Sequence, residues 1–299
     1  MIVDAHVHLW DRGMLPNSAV RRYLEPINQL DEDLKKFFDF GLDKEVVFDD
    51  FSLPAEKFLE EMAVSGVEKA LILCTDFELL NDSNMSNEEY TEKIFQECSA
   101  YDELIPFISV DPNRGEEGLR MVERMVRRYD PPGIKVYPAT GFYPNDEKHR
   151  PFWDLIDDLG LLVVSHAGMA LEPLDEKYCH PSFFRDVAER HPDMNIIIAH
   201  FGGKFYDELL PLMREFPNIY TDCSALQGWL PKRPDMVHSR MAEVCGEFPD
   251  RVIFGSDFPL YEIRYSTRRF IELICSEAYC KGALKEKLLG GNISRLLSL

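Results

Sequence analysis

The sequence predicts a (β/α)8 barrel, the TIM-barrel class, built as one domain over residues 1–299. Three observations predict it. Short apolar runs alternate with longer amphipathic segments along the whole chain, eight such runs can be counted, and several are unbroken aliphatic and β-branched stretches. Unbroken runs of that kind suit parallel strands covered on both faces. An open doubly wound sheet is the alternative, but no G-x-G-x-x-G or phosphate loop follows any strand to mark a nucleotide crevice.

The first strand is read over 2–9, "IVDAHVHL". Strand side chains alternate faces, so Asp4, His6 and His8 are expected on one face. Residues 10–50 then break the rhythm with an acidic, aromatic, proline-containing segment. An insertion at that point lies over the catalytic face of a barrel, and reads as a lid or substrate-binding excursion, with an oligomer contact as the alternative. The helix at 54–66 places Phe58, Leu59, Met62 and Ala63 at helical spacing before a Gly66 stop. Further strands follow at 69–74, 104–110, 133–138, 161–166, 195–200, 218–223 and 251–257. Helices fit 86–100, 115–129, 151–159, 181–190, 204–215, 235–246 and 266–276, with a closing helix at 283–298.

Composition narrows the function classes. A formal charge of −20 repels polyanions, and no lysine or arginine cluster forms a phosphate-tracking stripe, so nucleic acid is not expected as a partner. No apolar run reaches the roughly 18 to 20 residues of a membrane span, and the start lacks the pattern of an export signal. Seven cysteines, an odd number with no C-x-x-C spacing, point to a reduced cytoplasm rather than a disulfide framework. A small-molecule substrate is the expected partner, with a homo-oligomer possible.

Barrel chemistry gathers where strands end. Of eight histidines, four fall at predicted strand ends: His6 and His8 on the first strand, His166 on the fifth and His200 on the sixth. Asp257 ends the eighth strand and Lys135 lies in the fourth. One histidine so placed is usually a satisfied imidazole; four with an aspartate converge on one rim, as a metal requires. Imidazole nitrogen and carboxylate oxygen suit a borderline divalent ion such as zinc, with manganese as an alternative.

The stretches "DAHVH" at the start, "GIKVYP" in the middle, "SHAG" at 165–168, "AHFGG" at 199–203 and "GSDFP" at 255–259 carry a family likeness. The chain resembles the amidohydrolase superfamily, specifically its amidohydrolase-2 branch, which includes aminocarboxymuconate-semialdehyde and aromatic-acid decarboxylases. The resemblance covers nearly the whole chain. It implies that His6, His8, His166 and Asp257 bind one catalytic metal, that Asp257 also takes a proton from the metal-activated water, and that His200 acts on substrate or serves a second ion. Lys135 is either a plain ammonium facing a carboxylate or, as in phosphotriesterase and dihydroorotase relatives, a carboxylated bridge between two metals. Two reactions fit the scaffold: hydrolysis of a small carboxylated or cyclic substrate, and nonoxidative decarboxylation of a small aromatic or unsaturated acid. Tyr137 and Tyr143 after the fourth strand, Ser224, Gln227 and Trp229 after the seventh, and Trp10, Arg12, Arg21, Arg22 and Tyr23 in the insertion are the substrate-facing candidates. Asp4 is read as a buried structural carboxylate, with support of a ligand imidazole or Lys135 as the other role open to it.

Overall fold

Eight parallel strands follow one another around a barrel in chain order in the computed structural model, which describes residues 1–24, 53–262, 265–277 and 280–299. The strands are β1 (Val3–Val7), β2 (Lys69–Leu73), β3 (Leu104–Ser109) and β4 (Gly133–Val136). They continue with β5 (Leu162–Ser165), β6 (Ile196–Ile198), β7 (Ile219–Asp222) and β8 (Val252–Ile253). Between them run α1 (Ala55–Ser65), α2 (Asn87–Cys98), α3 (Glu116–Tyr129) and α4 (Arg150–Asp158). After these come α5 (Arg185–Arg190), α6 (Tyr206–Glu215), α7 (Pro234–Glu247) and α8 (Thr267–Ser276). The acidic part of the expected lid, 31–51, lies outside the described residues.

Each boundary has a local cause. Ser86 accepts from the Glu89 backbone N–H while the Glu89 carboxylate accepts from Ser86 N, a reciprocal cap that starts α2. On α1, Phe58 and Met62 are buried and Phe58 packs on Phe258 at 5.0 Å, whereas Ala63, expected on the same face, is exposed. Burial of side chains this size contributes about 1.5–3 kcal/mol each. The barrel interior is packed with Val3, Ala5, Leu71, Phe107, Val164 and Ile197. The closing helix breaks into Ala283–Glu286 and Asn292–Leu297 around a wider turn. There Gly290 lies so near the chain start that a Cβ would sit 2.5 Å from the Met1 carbonyl, and Leu288 O accepts from Phe254 N at 2.9 Å.

Two departures from the expected strands shape the site. The register of β1 against β2 slips between Asp4 and Val7, where three residues on β1 span two on β2. Val3 and Ala5 therefore enter the interior, while Asp4 pairs with Ala70 of the outer layer and shares no face with His6 and His8. Asp4 is thus a buried structural carboxylate that serves the backbone, and not a support for an imidazole side chain or Lys135. Its Oδ1 accepts from His6 N at 3.2 Å and Ser256 N at 2.9 Å. Second, β6 and β8 end early, at Ile198 and Ile253, and the residues expected to end them, His200 and Asp257, lie beyond with positive φ, 60° and 57°. That region costs a non-glycine residue roughly 1–2 kcal/mol, a cost concentrated at functional rims.

β8 meets β1 through bonds made by the rim itself. Ala5 N donates to Phe254 O at 3.0 Å, Asp257 N to His6 O at 2.8 Å, and His8 N to Phe258 O at 2.9 Å. All seven cysteines are unpaired. No helix among the described residues is long and apolar enough to cross a membrane.

Candidate metal centre and substrate cavity

Three side chains meet where β1 and β8 end. His6 Nε2 lies 3.6 Å and His8 Nε2 3.5 Å from Asp257 Oδ1, all three residues being buried. The other ring nitrogens decide the tautomers. His6 Nδ1 faces Asp222 Oδ2 at 2.9 Å, and a carboxylate can only accept, so the proton sits on Nδ1. His8 Nδ1 donates likewise to the Leu73 carbonyl at 2.8 Å. With the rings neutral, both Nε2 atoms are lone pairs directed at a carboxylate.

Three acceptors facing one another call for a cation between them. Their spacing matches the roughly 3.3 Å edge of a tetrahedron of N and O donors about 2.0–2.1 Å from a zinc-sized ion. The donor set thus fits a divalent metal. Lys135 Nζ also lies 3.0 Å from His6 Nε2, so an ammonium is the cation nearest to hand within the chain itself.

The electrostatics agree. Burial, helped by the Lys135 charge, pushes His6 down to about 3, so its imidazole is neutral and its lone pair free at neutral pH. Burial pushes Lys135 down to about 8 against the pull of Asp222 and Asp257. For Asp257, burial alone would raise the carboxyl, but the surrounding imidazoles of His8, His200 and His6 hold it well below the usual carboxylate range. A tight fit supports His6: a Cβ on Gly255 would lie 2.8 Å from the His6 Cβ, so only glycine leaves room for the ring.

A second group, His6, His200 and Asp222, has metal-like spacing but is already satisfied internally. Asp222 accepts from His6 Nδ1, from His200 N at 2.9 Å, from Ser224 N at 3.1 Å and from the Ser224 hydroxyl. Because the Ser224 proton goes to Asp222, Ser224 Oγ must accept from His200 Nδ1, 2.7 Å away. His200 Nε2 is then bare and accepts from His166 Nδ1 at 3.1 Å. The chain of bonds ends in a conflict, since bare His166 Nε2 faces the Met169 carbonyl at 3.2 Å.

His166 therefore lies outside the His6, His8 and Asp257 group, though beside it. Two loops bring it to His200: Gly168 and Gly203, both at positive φ, touch so closely that a Cβ on either would sit 2.8 Å from the other's Cα. Tyr137 stacks flat on His166 at 4.2 Å and 7°.

The centre opens into a cavity of about 440 Å3. His8, His166, His200 and Asp257 line it with Tyr137, Ser224, Trp10 and Trp229. The described start of the insertion supplies one wall, through Trp10, Leu15, Pro16 and Ala19. Other substrate-facing candidates are not brought in. Arg21 and Arg22 are exposed and Arg22 pairs with Glu172, Tyr143 packs on Tyr178 and Phe183, and the amide of Gln227 is tied to Ser256 O. The side chain of Tyr23 lies outside the described part. Asp222 is the residue that sequence reasoning missed. It ends its strand as Asp257 was expected to end its own, and the same strand-end rule applied to "NIYTDC" finds it.

Comparison with known proteins places this geometry. The profile of the amidohydrolase family, of the amidohydrolase-2 branch, matches residues 3–299. The chain belongs to the amidohydrolase family. It is an enzyme of that family, and no curated protein matches its sequence. Among solved structures, an uncharacterised TIM-barrel protein from Bordetella bronchiseptica shares the fold at a TM-score of 0.73 and 21% identity, over 99% of this chain and 98% of that one. A candidate 2-pyrone-4,6-dicarboxylic acid hydrolase from Pseudomonas putida aligns at 0.65 and 16% identity, covering 99% and 97%. A 5-carboxyvanillate decarboxylase from Novosphingobium aromaticivorans, complexed with manganese and 4-hydroxy-3-methoxy-5-nitrobenzoic acid, aligns at 0.67 and 15%, covering 100% and 96%. Amidohydrolase-2 membership leaves both hydrolysis and decarboxylation open to this barrel.

Proposed function

We propose that this amidohydrolase is a metal-dependent hydrolase that turns an activated water on a small carboxylated or cyclic substrate. The observation carrying the reading is the convergence of bare His6 Nε2, bare His8 Nε2 and ionised Asp257 at the mouth of a ligand-sized cavity. These residues would hold one ion, with His166 as the fourth ligand, a role that would relieve the conflict between its Nε2 and the Met169 carbonyl. Zinc suits the set, with manganese the alternative. A bound divalent ion supplies Lewis acidity and a nucleophilic water near neutral pH.

The chain's own groups do the remainder. Asp257 accepts the nucleophile's proton at a carboxylate oxygen. His200, held by Ser224, presents Nε2 beside His166 to orient or polarise substrate. Lys135, as a plain ammonium, offsets Asp257 or receives a substrate carboxylate. One ion is preferred over two, because a second on His200 and a carboxylated Lys135 would have to break the contacts His200 already makes. Tyr137, flat against His166, offers a wall for a planar ring.

Metal content per chain together with intact mass tests the ion count: one ion and an unmodified Lys135 are expected, and two ions with the mass gain of a carboxylated lysine would overturn it. Lactones and carboxylated aromatics then separate the reactions. Metal-dependent ring opening is expected; release of carbon dioxide instead would replace the hydrolase with a decarboxylase.

A further inference from the structure

The cavity has a charged wall that the metal chemistry does not use. On α7, Arg240 and Met236 line the cavity together with Arg233 at the helix start, the spacing of three and four residues that puts side chains on one helical face. The Arg240 guanidinium is half-buried, lies 4.3 Å over the Tyr206 ring, and donates one Nη1 hydrogen bond to Gly203 O at 2.9 Å. Gly203 lies three residues past His200, so Arg240 is tied to the loop that carries the catalytic candidate. Arg233 stands near enough to disfavour the Arg240 charge.

Neither guanidinium has a carboxylate partner among the described residues. Elsewhere arginines pair readily: Arg114 grips Asp76 through two nitrogens, and Arg214 grips Glu247. Acidic residues are abundant, 53 against 33 basic ones. Asp207 and Glu243 are near enough to favour the Arg240 charge, but neither forms an ion pair with it, and Glu243 is turned to the Tyr206 hydroxyl at 2.8 Å. Two like charges on one wall with no carboxylate in ion-pair contact form a place for an anion.

Away from the metal-facing side, Thr75 and Lys204, the latter paired with Glu176, the other walls are mainly apolar, with Trp10, Leu15, Phe77 and Leu226 inside and Met169 and Leu171 exposed at the mouth. At about 440 Å3 the cavity lies in the range of roughly 300–1,000 Å3 that takes drug-sized ligands. A small polar acid would leave those walls wet, and a neutral hydrocarbon would leave the guanidiniums unpaired. We propose that the substrate is an amphiphilic anion, whose apolar body fills the cavity and whose negative head sits between Arg240 and Arg233, apart from the group that reacts at the metal. This rests on the hydrolase reading above for what happens at the metal, but not for binding.

Binding is measured by fluorescence titration of the purified protein with 1-anilinonaphthalene-8-sulfonate and with N-phenyl-1-naphthylamine, the same aromatic body without the anion. The wild type is expected to bind the sulfonate more tightly. Arg240→Met should weaken it about ten-fold or more, as loss of a charged hydrogen-bond partner does, and leave the neutral probe unchanged. Trp229→Ala should weaken both, locating them in this cavity. Dodecanoate and dodecyl phosphate should displace the sulfonate at lower concentration than dodecanol, their order giving the preferred head group. An unchanged sulfonate affinity in Arg240→Met, equal loss of both probes in that variant, or indifference of both to Trp229→Ala would overturn the proposal. Arg240→Lys, expected to recover part of the affinity, separates loss of charge from misfolding. His6→Ala, expected to lose metal but keep the probe, separates failure here from failure of the hydrolase reading.

Discussion

Replacing Asp222 with asparagine changes one atom and should weaken metal binding at the proposed His6, His8 and Asp257 centre, to which Asp222 itself contributes no donor. Oδ1 of Asp222 accepts three donors, His200 N, Ser224 N and the Ser224 hydroxyl, whereas Oδ2 faces only His6 Nδ1. Asparagine has one acceptor oxygen, and three donors against one place it at the Oδ1 position. Its NH2 then meets His6 Nδ1. Two donors cannot face each other, so the proton of His6 moves to Nε2, the nitrogen 3.6 Å from Asp257. To bind metal the ring must return to its former tautomer and leave that buried pair unsatisfied, at about 1–3 kcal/mol. This corresponds to roughly a 10- to 100-fold loss of metal affinity, the range found when a partner of a metal-binding histidine is removed. Competition against a chromophoric chelator measures the affinity, and ring 15N shifts report the tautomer. A folded Asp222→Asn protein with wild-type affinity, or with the His6 proton still on Nδ1, would refute the reasoning.

Two further outcomes follow from groups around the rim. Burial raises Asp4 to about 7, so the folded state holds its proton more tightly than the unfolded chain, and this contribution to stability declines as pH rises from about 4 to 7. Asp4→Asn should gain on the wild type by roughly 1.4 kcal/mol per pH unit across that window and stay level above it, as read by denaturant melts at several pH values; a constant difference would contradict this. Gly255→Ala should push the His6 ring off its seat, since the new Cβ would lie 2.8 Å from the His6 Cβ, costing about 1–3 kcal/mol of stability and lowering metal affinity. Unchanged melting and metal binding would show that β1 shifts freely.

The strands were legible because each is a compact apolar run, and the strand-end rule led to His6, His8 and Asp257 without any view of the fold. What was hidden depends on a single residue of register or on the direction of a ring. The slip in β1 turns Asp4 away from the histidines, and nothing in "IVDAHVHL" marks it. His200 and Asp257 lie past the early ends of β6 and β8 and take positive φ, and they give no local sign of leaving strand geometry. His166 was read as a strand-end ligand, but its orientation depends on the contact between two loops through Gly168 and Gly203, 35 residues apart in the chain. The sequence points to Arg21 and Arg22 as a pair in the insertion, whereas the two arginines that line the cavity are Arg240 on α7 and Arg233 just before it, and only the packed helix face reveals which residues reach the cavity.

The junction of β1 with β8 has a consequence for how the protein comes into being. Asp257 N donates to His6 O and His8 N to Phe258 O, so the bonds that seal the barrel are made by the same residues that gather the donors, or by their neighbours. His6 leaves the ribosome about 250 residues before Asp257 does. A nascent chain accordingly holds two of the three donors from its first strand and lacks the third until β8 has been made and joined to β1. On the metal-dependent reading proposed above, full-strength capture of an ion would wait for the ring to shut, so that occupancy of the centre would report closure of the barrel.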